Sequence, residues 1–179
     1  MALVTPVAPE KAEGAVKEGY EMFLQNVGAI PQPMQLMSIS PVLFELQLQR
    51  IRYFRKHPKL SFALLAHIRY LASQSLEYGY CMDFNRHLLK KLGNDDQTIQ
   101  AMESDPSKSM LEENESAMLD FVIRAMKKPS SITADDIARL KELGWEERDM
   151  IDALAQGVGM IDHAIMMQVF QIDQNCMLE

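Results

Sequence analysis

Residues 61–93, SFALLAHIRYLASQSLEYGYCMDFNRHLLKKLG, decide the reading of this chain. The first part, residues 61–76, is apolar on more than one helical face, which suits a helix in the middle of a bundle or at a subunit contact. Gly79 marks a break. Residues 80–92 then set Cys81, Phe84, Leu88 and Leu92 on one stripe, and Gly93 is a natural residue just past a helix end. Runs rich in Val, Ile and Thr with alternating pattern, the signature of strands, are absent from the sequence. The fold class that follows is all-α.

Helical spacing extends in both directions from this stretch. Residues 10–27 carry Val16, Tyr20, Phe23 and Leu24 along one face, with Gly28 as a stop. Residues 30–34, IPQPM, predict a turn or short extended link, because proline keeps the residue before it out of helix. Ser40 and Pro41 supply an N-cap and a first-turn proline for a helix to about residue 56, which His57-Pro58 breaks. Downstream, a short helix over 95–102 precedes a polar link at Asp105-Pro106-Ser107. Residues 112–126 bury Met118, Phe121, Val122 and Ala125. Thr133 and Asp136 form a capping-box pattern, with Asp in place of Glu, for a helix to Leu143. Residues 146–171 form one long apolar helix or two, with Gly157 and Gly159 allowing a close approach or a bend. The expected organisation is an N-terminal helical extension over residues 1–34 and a helical domain over 35–179.

Composition narrows the function classes. Of 179 residues, 47% are hydrophobic and 24% charged, enough apolar material for a proper core. The net charge is −7 and the basic residues are scattered, which excludes a nucleic-acid footprint. The most basic stretch, Arg50 to Lys59, interleaves its charges with Ile51, Tyr53 and Phe54 and reads as a solvated helix end. The first residues lack a signal-peptide pattern, and no stretch approaches the ~18 apolar residues of a membrane span. Fourteen methionines, mostly at helical spacing, read as core and subunit contacts. Cys81 and Cys176, distant in a chain without an export signal, are expected to be thiols in a cytoplasmic, reducing compartment. No HxH, HxxxH or CxxC pairing is present, so neither a metal nor another cofactor is expected.

Cys81 is the candidate reactive centre. In the first turn of its helix, backbone N–H groups and the helix dipole favour a thiolate, the form that attacks peroxides and disulfides. Glu77 and Asp83 oppose that effect where they come close. The bland alternative is a buried cysteine acting as a small hydrophobe.

The same segment resembles the central motif of the carboxymuconolactone decarboxylase and alkylhydroperoxidase D superfamily. In that motif an apolar helix leads into C-x-Y-C, a histidine follows four residues later, and a Leu-Gly pair ends the helix. Tyr80-Cys81 and Leu92-Gly93 anchor the match, which puts the motif's second cysteine at Cys81, its first at Tyr78 and its histidine at Asn85. The downstream pieces, from Asn114 through the Ile-Thr-Ala-Asp-Asp-Ile turn and the Leu-Gly-Trp stretch to Asp162-His163, are similar to peroxidase-related members in order and spacing. The resemblance covers about residues 35 to 175. It implies an alkylhydroperoxidase D-like (AhpD-like) helical bundle that assembles as a dimer, trimer or hexamer.

The departures define what chemistry is left. Tyr78 cannot act as a resolving thiol, and Asn85 can hydrogen-bond but not titrate. The family's glutamate falls near residues 65–67, where only His67 could stand in as a base; the alternative is a histidine hydrogen-bonded in the core. His163 is either a group approaching Cys81 across the bundle or a polar spot at a subunit contact. His87 lies on another face of its helix, and Cys176 could resolve Cys81 only through the chain end or a neighbouring subunit. The resemblance therefore implies at best a peroxiredoxin-type oxidoreductase: a one-cysteine, thiol-dependent hydroperoxide reductase with an antioxidant role, a small-molecule hydroperoxide and a thiol donor as its partners. The competing readings are a non-catalytic oligomeric ligand-binding or scaffold member that has lost the relay, and a decarboxylase-branch enzyme.

Overall fold

Proline and glycine set where the helices begin and end. In the computed structural model, residues 2–74 and 79–172 are described, and these are helical with no strand among them. The helices are α1 (Gly14–Val27), α2 (Gln32–Met37), α3 (Pro41–Arg55), α4 (Phe62–Gln74), α5 (Gly79–Lys91), α6 (Asp96–Ser104), α7 (Glu113–Lys127), α8 (Ala134–Glu142) and α9 (Glu147–Val169). None of them is long and apolar enough to cross a membrane. The described residues fall into two compact units, 2–57 with 165–172 and 58–164.

The first unit contains the whole of residues 2–34 and differs from the sequence reading in three places. The first helix starts at Gly14, because Pro9–Lys11 form a separate 3₁₀ turn and Ala12 is extended. The expected link at 30–34 is the entrance to a helix. Pro31 takes an extended conformation ahead of α2 and Pro33 sits in its first turn, where a missing N–H leaves no bond unmade. Ser40 occupies the cap position of α3 but its side chain makes no capping bond, so Pro41 alone starts the helix. Val16, Tyr20, Phe23, Met34, Met37, Phe44 and Leu48 form the core. Tyr20 meets Phe44 edge to face, with ring centroids 5.8 Å apart.

The second unit is organised around α4, which buries residues on nearly every face, as its sequence predicts. It packs against both α5 and α7. The capping box opening α8 is formed: Thr133 N donates to Asp136 Oδ2 (2.8 Å) and Asp136 N to Thr133 Oγ1 (3.4 Å). Residues 147–169 are one helix, unbroken at either glycine. At Gly157 a Cβ would come within 2.6 Å of Met126 Sδ and 2.9 Å of Val122 Cγ1, so the glycine is what lets α9 approach α7.

Candidate functional site

α5 is where the sequence reading and the structure part company. The stripe expected from Cys81, Phe84, Leu88 and Leu92 is not the buried one. Phe84 and Leu88 are half-buried and Leu92 is 40% exposed, whereas Cys81, Asn85 and Leu89 are buried. These three recur at every fourth position, so they share one face. A polar residue occupies its centre, and Asn85 is tolerated there because both ends of its amide are bonded.

Asn85 Nδ2 donates to the backbone carbonyl of Cys81 at 2.8 Å. Asn85 Oδ1 accepts from Arg69 Nε at 2.9 Å. Arg69 comes from α4, and its guanidinium also lies over the ring of Phe62, 5.8 Å from the centroid. The result is a chain of contacts from Phe62 through Arg69 and Asn85 to the backbone of Cys81. Cys81 itself lies on α5 and is 6% exposed.

The electrostatics of this cluster centre on one cation and one sulfur. Burial pulls the Arg69 guanidinium down to about 10, and the charge of Cys81 pulls in the opposite direction. Arg69 therefore stays cationic at neutral pH beside the Cys81 sulfur. Nothing in the motif reading pointed to Arg69. Its signal was a charge set inside the run HIRYLA, in a helix otherwise apolar all round.

The remaining candidates are distributed differently. His67 is buried, 1% exposed. Its Nδ1 lies 2.8 Å from the Ala63 carbonyl, which can only accept, so the ring carries its proton there. Burial lowers its pKa, while the Ala63 carbonyl, the Asn94 amide and the charge of Glu115 pull upward; Cys81 is not among these neighbours. Asn94 acts on the imidazole at close range, yet His67 Nε2 and Asn94 Oδ1 make no hydrogen bond of sound geometry. His163 lies half-buried on α9, and His87 is half-buried on α5. Arg86, one turn along from Asp83, turns to Asp96 at 3.1 Å. Tyr78, Glu77 and Cys176 lie outside the described residues. The structure thus brings together Cys81 and Asn85 of the predicted set, and adds Arg69.

No protein-family profile matches the sequence, and no curated protein does. Solved structures match over nearly the whole chain. One is the alkylhydroperoxidase AhpD core of an uncharacterized peroxidase-related protein from Ralstonia eutropha JMP134, with a TM-score of 0.81 at 15% identity, covering 97% of this chain and 92% of that one. A second is an uncharacterized peroxidase-related protein from Silicibacter sp. TM1040, with a TM-score of 0.77 at 15% identity over 96% and 92%. A third is the debrominase Bmp8, as a Cys-to-Ala variant in complex with 2,3,4-tribromopyrrole, with a TM-score of 0.77 at 16% identity over 98% and 92%. The chain has the alkylhydroperoxidase D-like fold.

Proposed function

We propose that this chain is a one-cysteine, thiol-dependent hydroperoxide reductase acting through Cys81. The observation that carries the reading is the Arg69 guanidinium, bonded to Asn85 at 2.9 Å and in electrostatic reach of the Cys81 sulfur. A thiol beside an oriented cation has the environment that activates cysteine nucleophiles.

The chemistry balances without a second protein thiol. Cys81 gives up its proton, and the thiolate attacks the terminal oxygen of the hydroperoxide. An S–O bond forms and the O–O bond breaks; the sulfur loses two electrons and becomes a sulfenic acid. The alkoxide leaves and takes up the proton as alcohol. One external thiol then condenses with the sulfenic acid, releasing water and leaving a mixed disulfide. A second external thiol resolves it to restore Cys81. Arg69 stabilises the attacking thiolate, and Asn85 holds Arg69 in place while anchoring to the backbone of Cys81. With Asn85 where the motif has histidine, the alkoxide's proton comes from solvent or from the thiol donor.

Consumption of an alkyl hydroperoxide with a dithiol donor tests this directly, comparing the unmodified chain with Cys81→Ser. Turnover abolished by the substitution supports the reading. Equal rates in the two proteins would end it, and a Cys81 alkylation midpoint at the free-thiol value of ~8.5 would remove its basis.

A second reading draws on the fold neighbour named a debrominase. The same thiol would support reductive dehalogenation, in which a C–Br bond is replaced by C–H, two thiols become a disulfide, and bromide and a proton are released. Bromide release from a brominated pyrrole, with hydroperoxide left unconsumed, would select this reading over the first.

A further inference from the structure

We infer that the Cys81 site takes organic anions, and that Arg69 is the residue that binds their carboxylate. The inference rests on the reading of Cys81 as a nucleophile and names the class of molecule brought to it.

Arg69 has five N–H donors, and among the described residues a single one is used, on the neutral Asn85. Among the described residues no carboxylate pairs with it. Elsewhere in the chain, Arg86 pairs with Asp96, Arg124 with Asp120 and Asp136, and Arg148 with Asp149. Arg69 is densely surrounded yet keeps part of its surface in solvent, and none of its nitrogens is a sealed, unbonded atom.

A half-buried cation without a carboxylate needs compensation from somewhere. With Cys81 as the nucleophile, its thiolate supplies it before reaction. Once the sulfur is oxidised to neutral sulfenic acid, or bonded to a neutral group, that compensation is gone. A carboxylate arriving with the reactant restores it, in the bidentate geometry that guanidinium prefers. Phe62 adds the second half of the recognition. Its ring covers one face of the guanidinium and is itself 57% exposed, an apolar platform beside a cation. A molecule with a carboxylate and an apolar body fits both.

The test separates anion binding from peroxide turnover. Alkylation of Cys81 forms an S–C bond and expels iodide, whether the reagent is anionic iodoacetate or neutral iodoacetamide. Rates are read on the Cys81 peptide by mass spectrometry, in the full chain. The iodoacetate-to-iodoacetamide ratio is expected to fall about tenfold in Arg69→Gln, the effect of one charge-assisted contact, and less in Arg69→Lys. Any change in thiol acidity cancels in the ratio. In the unmutated chain, benzoate should slow iodoacetamide modification while benzamide does not, a result independent of whether the variants fold. A ratio unmoved by Arg69→Gln, or equal protection by benzoate and benzamide, overturns the inference. An intact ratio effect in a protein that consumes no hydroperoxide keeps the anion site and sinks the reductase reading.

Two arms of a turnover assay say which reactant carries the anion. Preference for a fatty-acid hydroperoxide over its methyl ester assigns it to the peroxide. Preference for 3-mercaptopropionate over 2-mercaptoethanol assigns it to the thiol. Turnover without either preference counts against the proposal.

Discussion

Arg69 and Asn85 are joined by a 2.9 Å hydrogen bond from guanidinium to amide, and that amide reaches on to the backbone of Cys81 at 2.8 Å. The helix of Cys81 and the helix of Arg69 are thereby locked together by a side chain that cannot titrate. Asn85→Ala is expected to destabilise the chain by about 1–3 kcal/mol, because Arg69 Nε loses its acceptor in a buried setting. Asn85→Asp keeps an acceptor but adds a negative charge that neutralises Arg69 and disfavours the thiolate. Iodoacetamide modification of Cys81 at neutral pH should slow about tenfold in that variant, the effect of a one-unit rise in thiol pKa. Unchanged rates would show that Arg69 does not govern the sulfur.

Gly19 tests the packing of the first unit. A Cβ there would lie 2.4 Å from Phe44 Cε1 and 2.9 Å from Leu48 Cδ1, and both side chains are fully buried. The helix propensity gained by Gly19→Ala, up to about 1 kcal/mol, is outweighed by a clash with a ring that has nowhere to move. A net loss of about 1–2 kcal/mol is expected in urea unfolding. Adding Phe44→Leu should cost less in this background than in the native one, a coupling that a double-mutant cycle reads.

Much of this architecture is legible in the sequence, and the failures share a cause. The all-round burial of α4 and the capping box at Thr133 are local properties: apolar density over several turns and a fixed spacing of two polar residues. α2 was hidden because its prolines look like breakers, although in a first turn they start a helix. The buried face of α5 was hidden because Asn85 counts as polar in any periodicity argument. Its burial depends on Arg69, sixteen residues away in another helix. A partner supplied by tertiary structure leaves no mark on the pattern of either helix, and so the pairing of Arg69 with Asn85 is not legible in either one alone.

Asp149 is one of the carboxylates that make the second unit acid-sensitive. Its side chain is fully buried, and Glu146 N donates to Oδ2 at 2.9 Å while Lys59 Nζ lies 3.4 Å from the same oxygen. Burial pushes its pKa up, but the Glu146 N–H, Lys59 and Arg148 together hold it below the usual value. A depressed folded pKa gives stability that is present above the unfolded value of ~3.9 and lost as pH falls through the folded one. Lys59→Met removes one of the lowering influences, so acid unfolding should begin at higher pH. Trp145 reports it: the chain's one tryptophan is buried, with its indole N–H on the Asn114 carbonyl at 2.9 Å. An acid midpoint identical in both proteins would show that Lys59 does not act on Asp149.

His67 should leave a separate signature nearer neutrality. Burial lowers its pKa, outweighing the Ala63 carbonyl, the Asn94 amide and Glu115, so the folded chain holds the ring neutral. The unfolded chain, with an ordinary histidine near ~6.5, binds a proton more readily. Stability then rises with pH wherever the unfolded state carries more protons. It is complete above the unfolded value and declines as pH falls below ~6.5 toward the folded value. Urea midpoints for the native chain should decrease between neutral pH and mildly acidic buffer, and His67→Gln should flatten that part of the curve while leaving the carboxylate-driven loss at lower pH. Heteronuclear NMR of the ring supplies the independent check, with the proton expected on Nδ1, where the Ala63 carbonyl accepts it at 2.8 Å. An imidazolium at pH 7 would reverse the sign of the dependence, because the folded state would then be the one holding the extra proton.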